Sequence, residues 1–127
     1  MNKYIKKEYS KSELTSKLIR FAYDIYDELG YGLPEKVYQR SFGALLEKNK
    51  LKYSKEKYGK IIFEGKIVGR YYVDFVVEKV AIEFKIRNEI YQKDINQLLN
   101  YIKSEQIPVG LIIAPGKEGI KIKRLAN

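Results

Sequence analysis

The chain contains no cysteine and no histidine among its 127 residues. The lack of cysteine excludes disulfides, thiolate zinc sites, iron–sulfur clusters and a cysteine nucleophile. The lack of histidine removes the usual general base, so a metal site must use oxygen ligands, which suit Mg²⁺ or Mn²⁺ better than Zn²⁺. No apolar run approaches the roughly 18 residues needed to cross a bilayer. We therefore expect a cytoplasmic protein without a membrane span.

Positive charge is abundant. The chain has 25 Lys and Arg residues against 16 Asp and Glu residues, a formal net charge of +9. This balance favours polyanionic partners such as nucleic acid or an acidic membrane surface. The hydrophobic content of 45% is enough for one core. We predict a single domain over residues 1–127.

The first half of the chain has the pattern of two helices. Apolar residues recur at steps of four and three from Glu13 to Leu29, as in an amphipathic helix. Gly30 and Gly32 end that pattern, and Pro34 suits the first turn of a second helix. Helical structure is therefore expected on both sides of a glycine-containing turn.

The second half predicts a further helix and a buried strand. The helix covers residues 92–105 and has its buried stripe at Ile95, Leu98, Leu99 and Ile102. Gln97 and Tyr101, four residues apart, share a different edge of this helix. The apolar run at 108–114 is typical of a strand buried on both faces, and residues 119–124 predict an edge strand.

Strand-like composition fills residues 57–87. A hairpin is expected around Glu64-Gly65, and a second tight connection at Glu78-Lys79. Strand alternation predicts that one face of this strand carries Tyr71, Val73, Phe75 and Val77. Asp74 is then expected on the opposite face.

The strand that follows, residues 80–87, places Glu83 and Lys85 on one face, with Arg87 beyond them. Antiparallel pairing across the short connection would bring Asp74 towards Glu83. Two carboxylates and a lysine are what metal-assisted phosphodiester cleavage requires, because the carboxylates hold the metal and the ammonium steadies the attacking water or the developing charge.

The alternative is that Glu83 and Lys85 form an ordinary ion pair on a solvated strand face, which stabilises little. A second Glu-x-Lys occurs at Glu64-Gly65-Lys66, but it lies in a predicted turn and looks incidental. The copy at Glu83 differs because it lies inside a strongly apolar strand, with an acidic residue nine positions earlier on the neighbouring strand.

The segment Gly32-Leu33-Pro34-Glu35-Lys36-Val37-Tyr38 resembles the signature of the GxxExxY proteins, a group within the PD-(D/E)XK nuclease superfamily. The resemblance extends through YYVDFVVEKVAIEFK to NQLLNYIKSEQIPVGLII. Gln97-x-x-x-Tyr101 is similar to the Gln-x-x-x-Tyr motif of RecB-like nucleases in the same superfamily. The proline that names PD-(D/E)XK is absent, since Val73 precedes Asp74.

The resemblance implies a restriction-endonuclease-like α/β fold, with a central mixed sheet of about four to five strands flanked by helices. It implies a Mg²⁺- or Mn²⁺-dependent nuclease acting on DNA, or less readily on RNA. The implied catalytic set is Glu35, Asp74, Glu83, Lys85 and Gln97, of which Asp74, Glu83 and Glu35 would hold the metal.

Candidate nucleic-acid contacts are Tyr101, Tyr38, Arg87 and Tyr72. Each tyrosine has an alternative role in packing. Nucleases that act on duplexes often pair two domains, so a homodimer is a further hypothesis. The alternatives to an enzyme are a nucleic-acid-binding module or subunit that retains the nuclease fold without turnover, and an interaction domain with a structural ion pair at Glu83 and Lys85.

Overall fold

The computed structural model describes residues 11–127, so the first ten residues of the predicted domain lie outside the described residues. Helices and strands follow in the order α1 (Ser12–Leu29), α2 (Glu35–Lys48), β1 (Tyr53–Phe63), β2 (Lys66–Val77), β3 (Val80–Phe84), α3 (Gln92–Ser104), β4 (Val109–Gly116) and β5 (Gly119–Ala126). No helix in this part of the chain is long and apolar enough to span a bilayer.

The five strands form one mixed sheet in the order β1-β2-β3-β4-β5. Only β3 and β4 pair in parallel, because α3 lies between them in the chain and carries it back across the sheet. Helices α1 and α2 pack on one face in a shared apolar cluster, and α3 packs on the other face in a second cluster. The predicted α/β architecture, with a mixed sheet and helices on both faces, is confirmed.

Two-residue turns set the register of β1, β2 and β3. Glu64 and Gly65 have φ values of 52° and 73°, and Glu78 and Lys79 have φ values of 44° and 70°. Positive φ at both central residues is the type I′ turn that suits the twist of a hairpin. The turn at Glu78 pairs β2 with β3 so that Asp74 and Glu83 occupy the positions next to the pair Phe75 and Ile82.

The side-chain alternation predicted for β2 is wrong at one point. Val73 belongs to the cluster beneath α3, whereas Phe75 and Val77 belong to the cluster beneath α1 and α2. Strict alternation would put all three on one face. On the facing stretch of β1, Glu56 has a φ of 50°, which a non-glycine residue seldom adopts, so the ladder is distorted beside Asp74.

Strand β3 is shorter than predicted, because it ends at Phe84 rather than Arg87. The Lys85 N–H still donates to the Ile113 carbonyl oxygen at 2.9 Å. The Arg87 N–H then donates to the Lys85 carbonyl oxygen at 3.0 Å, so the backbone turns away from the sheet. Lys85 therefore lies at the point where the chain leaves β3.

Tyr101 is part of the buried face of α3 instead of a separate edge. It is buried with Leu98 and Ile102, while Ile95 and Leu99 are only partly buried. The space for its ring comes from Gly59 in β1, where an added Cβ would lie 2.8 Å from Tyr101 Cδ2. The absence of a side chain at Gly59 thus allows the Tyr101 ring to pack closely against β1.

Candidate active site

Asp74 and Glu83 meet where β2 and β3 pair. Asp74 Oδ2 accepts a hydrogen bond from the Phe84 N–H at 2.7 Å, and Glu83 Oε2 accepts one from the Tyr71 hydroxyl at 2.5 Å. Glu83 is only 6% exposed, which is unusual for a carboxylate. The predicted approach of the two acids is present in the structure.

Both acids have pKa values above the usual value of their side chains, and burial is the main cause. Burial, followed by the charge of Asp74, raises the pKa of Glu83 to about 8. Burial also raises the pKa of Asp74, although hydrogen bonds from Phe84 and Glu83 oppose the shift. The two side chains lie close enough that hydrogen bonding between them raises the pKa of Glu83 and lowers that of Asp74. A pair of this kind is stabilised by an added cation that can replace the proton.

Glu35 joins the acids from the first residue of α2. The residue is exposed overall, but desolvation of its carboxyl and then the charge of Asp74 raise its pKa. Gln39 Nε2 donates to Glu35 Oε1 at 3.1 Å, and Gln39 also hydrogen-bonds Asp74. Gln39 was not predicted as a site residue, although its position one helical turn after Glu35 was a signal that could have identified it.

Lys85 is the cation among these acids. Its charge lowers the pKa of Glu35, Asp74 and Glu83. The side chain is partly buried, and its backbone N–H is held by β4 through Ile113. The structure thus gathers four of the five predicted catalytic residues around one end of the β2–β3 pair.

The fifth, Gln97, is exposed on α3 and lines a neighbouring groove together with Tyr71 and Tyr101. This cavity between α3 and the β1–β2 hairpin is called the α3 groove below. Tyr71 connects it to the acids, because the same side chain lines the groove and donates to Glu83. Burial, with smaller contributions from Glu105 and Glu83, raises the pKa of Tyr101 to about 12.

The other predicted nucleic-acid contacts have varied surroundings. The Tyr38 hydroxyl is buried and donates to the Gly30 carbonyl oxygen at 2.7 Å, which ties α2 to the end of α1. Tyr72 is exposed, and its ring lies 5.6 Å from that of Tyr58. The structure therefore gives Tyr38 a packing role and leaves the Tyr72 ring accessible.

Arg87 has an internal partner that the sequence did not suggest. Its guanidinium forms an ion pair with the buried Asp94, and it lies 4.5 Å from the centre of the Tyr91 ring. Burial alone would raise the pKa of Asp94, but hydrogen bonds from Arg87 and the Tyr91 N–H hold it below its usual range. These contacts fasten the segment after Lys85 to the start of α3.

Comparison with known proteins identifies the superfamily. A profile of the PD-(D/E)XK nuclease superfamily matches residues 12–125, nearly the whole chain. The chain belongs to this superfamily. No curated protein matches the sequence. Among solved structures, the crystal structure of SSO0001 is similar over 92% of this chain, with a TM-score of 0.54 and 17% identity.

This chain spans 59% of the length of SSO0001. At that identity the likeness concerns the fold alone, which agrees with a restriction-endonuclease-like arrangement of sheet and helices.

The donor set of this PD-(D/E)XK domain fits a hard divalent cation. Within residues 11–127, no three acidic side chains are grouped closely enough to hold a metal by themselves. Asp74 and Glu83 nevertheless supply two carboxylates at one point, and Mg²⁺ is commonly held by one or two carboxylates, with water and substrate phosphate as its other ligands. Glu35 lies close enough for its pKa to respond to Asp74.

The raised pKa values predict that the metal-free protein loses stability as pH rises. Between about pH 4.5 and 8 the folded state keeps a proton on Glu83 that the unfolded state has released. Stability should then fall by up to about 1.4 kcal/mol per pH unit for each such proton. Urea unfolding in EDTA at pH 5, 6, 7, 8 and 9 measures this slope.

The matched variant is Glu83→Gln, which keeps a hydrogen-bonding side chain but cannot ionise. Its stability should decline less steeply than that of the wild type over the same pH range, because only the raised pKa values of Asp74 and Glu35 remain. Parallel slopes for the two proteins would contradict a protonated Glu83.

Proposed function

We propose that this PD-(D/E)XK domain is a divalent-metal-dependent nuclease that hydrolyses phosphodiester bonds, with DNA favoured over RNA as substrate. The observation that carries the proposal is that Glu83, only 6% exposed, lies opposite Asp74 across β2 and β3, with Lys85 close enough to lower the pKa of both acids. An ordinary surface ion pair would leave Glu83 exposed and ionised, whereas here burial holds its pKa far above that of a free carboxyl.

The acidic residues of the proposed site would bind the metal. Asp74 and Glu83 would hold Mg²⁺ or Mn²⁺, and Glu35 would bind it directly or through water. A bound divalent cation supplies Lewis-acid polarisation of the phosphate and lowers the pKa of a bound water. The Phe84 N–H, Tyr71 and Gln39 orient the carboxylates through hydrogen bonds to Asp74, Glu83 and Glu35 respectively.

The cationic and polar groups act on the substrate in this proposal. The Lys85 ammonium positions the attacking water or neutralises charge that develops on the phosphate. Gln97 contacts the phosphate from the α3 groove, where Tyr101 also lies. Tyr72 offers an exposed ring for a base, while Tyr38 and Arg87 contribute through the internal contacts that hold α2 and the segment after Lys85.

The direct test is cleavage of a labelled substrate panel: single-stranded DNA, duplex DNA, branched DNA and RNA, each with Mg²⁺, Mn²⁺ or EDTA. The proposal expects cleavage of at least one substrate with metal and none in EDTA. If no substrate is cleaved but binding is tight and steeply salt-dependent, the protein is a nucleic-acid-binding module that retains the nuclease fold.

Metal binding should also stabilise the folded protein. A ligand that binds only the native state adds about 2.7 kcal/mol at one hundred times its Kd, so saturating Mn²⁺ should raise the unfolding midpoint. The rise should be larger at pH 8 than at pH 6, because the metal must displace the proton on Glu83. Thermal unfolding at both pH values measures it, and an equal shift in Glu83→Ala would show that the metal binds elsewhere.

A homodimer and a cytoplasmic location complete the proposal. Two copies would let a small domain reach both strands of a duplex. Sedimentation of the purified protein with and without duplex DNA measures its oligomeric state. Fractionation of cells that express the protein measures its location.

A further inference from the structure

The α3 groove has a volume of about 610 Å³, within the range of ligand pockets, roughly 300–1,000 Å³. Its lining carries three cations, Lys60, Arg70 and Lys103. Two amides on α3, Gln97 and Asn100, add hydrogen-bonding groups, and no acidic side chain is among the lining residues. The combination of positive charge and amides suits a phosphate-bearing ligand.

One wall of the groove holds a hydroxyl without a partner. Tyr101 is 2% exposed, and its Oη has no hydrogen-bond partner among the described residues. A buried hydroxyl in that state is costly, and native proteins seldom leave one unpaired. The hydroxyl therefore still has a hydrogen bond to donate, and its side chain is part of the groove lining.

Apolar and aromatic groups form the rest of the lining. Ile61, Ile62 and the ring of Tyr71 line the groove, and the Tyr71 ring centre lies 6.1 Å from that of Tyr101. Ile61 and Ile62 are large apolar side chains that are 48% and 62% exposed. Such a surface accepts the flat face of a base, which single-stranded nucleic acid presents and a stacked duplex does not.

The groove is also joined to the acids. Tyr71 lines the groove, and its hydroxyl donates a hydrogen bond to Glu83 Oε2. A strand that occupies the groove thus lies beside the position where a phosphate would meet Asp74 and Glu83.

We propose that the α3 groove binds a single-stranded segment of the nucleic-acid substrate, with its phosphates on Lys60, Arg70, Lys103 and the Tyr101 hydroxyl and its bases against the apolar lining. The inference rests on the proposed nuclease function and adds a substrate class to it: a strand that is already unpaired where it enters the site. Duplex ends, flaps and single strands meet this requirement, and continuous duplex does not.

Binding can be measured without cleavage. A fluorescein-labelled single strand of about 12 nucleotides and the matched duplex are titrated with protein in EDTA, and anisotropy gives the Kd. We expect tighter binding of the single strand. Arg70→Ala and Lys60→Ala should each weaken it about three- to tenfold and reduce the slope of log K against log salt by about 0.7.

The control is Lys17→Ala, which removes an exposed lysine from α1 on the opposite face of the sheet. It should change the Kd less than twofold. Tyr101→Phe should weaken binding several-fold while the unfolding midpoint stays the same or rises, because the variant removes an unpaired buried hydroxyl.

The outcomes separate this inference from the nuclease proposal. An equal loss of binding in Lys17→Ala and Arg70→Ala would mean that general charge, not the groove, holds the strand, and overturns the inference. Tighter binding of the duplex, unaffected by Arg70→Ala, also overturns it. If the groove variants weaken binding but no substrate is cleaved, the groove inference is supported and the nuclease proposal is overturned. If substrate is cleaved and the groove variants do not change cleavage, the nuclease proposal is supported and the groove inference is overturned.

Discussion

Replacement of Glu83 with glutamine is expected to lower metal-dependent cleavage by about a thousandfold or more. Loss of one preorganised electrostatic group from an active site typically costs 10²–10³-fold. Glu83 is in addition one of only two carboxylates at the centre of the proposed site. The variant therefore removes one of the two negative charges that would hold the metal there. Glutamine is neutral like the protonated acid, and its amide oxygen can still accept the hydrogen bond from Tyr71.

The chain contains its own control for this experiment. Glu64, in the second Glu-x-Lys, occupies the two-residue turn between β1 and β2, where it is exposed. Glu64→Gln makes the same chemical change in the same three-residue motif and should leave cleavage within about twofold of the wild type. Initial rates with saturating Mn²⁺ and circular dichroism of both variants give the comparison.

Two results would count against the assignment. If Glu83→Gln retains more than about a tenth of the activity while the substrate and metal are saturating, Glu83 is not a metal ligand. If Glu64→Gln loses as much activity as Glu83→Gln, the assignment of the nuclease site to Glu83 and Lys85 fails. A folded, inactive Glu83→Gln beside an active Glu64→Gln supports the proposed site.

The meeting of Asp74 and Glu83 was predictable because it depends on local geometry. A two-residue connection permits only one close antiparallel register, and that register pairs the strands around Phe75 and Ile82. The buried nature of β4 was equally predictable from an unbroken apolar run. Both features follow from residues that are near one another in sequence.

Features that depend on distant residues were not predictable in the same way. The break in alternation at Asp74 accompanies a positive φ at Glu56 in another strand, and the burial of Tyr101 depends on Gly59. Alternation rules describe a strand by itself and contain no information about its neighbour. The partner of Arg87 was missed for the same reason, since Asp94 looks like an ordinary first-turn helix residue.

Phe42→Ala is expected to destabilise the protein by about 3–5 kcal/mol, the usual cost of removing a fully buried phenylalanine side chain. Phe42 on α2 is 0% exposed, and its ring centre lies 5.4 Å from those of Phe75 and Phe84 and 6.2 Å from that of Phe21. Small domains have a total stability of about 5–15 kcal/mol, so this loss is a large fraction of it.

The control is Phe63→Ala, the same change at a ring that is 67% exposed at the end of β1. It should alter stability by no more than about 0.5 kcal/mol. Urea unfolding at pH 7 gives both values. A loss below about 1 kcal/mol in Phe42→Ala would mean that the aromatic cluster is not the centre of the α1–α2 core.

Phe42→Ala should also reduce cleavage at temperatures where the variant is still folded. Phe75 and Phe84 directly follow Asp74 and Glu83 in sequence, and the Phe84 N–H donates to Asp74 Oδ2. A cavity in place of the Phe42 ring lets both neighbours shift, and a displacement of the carboxylates by about 1 Å can cost 10²-fold in rate. Cleavage by Phe42→Ala, corrected for its folded fraction, should therefore fall below that of Phe63→Ala. Equal corrected rates would mean that the core and the site are mechanically independent.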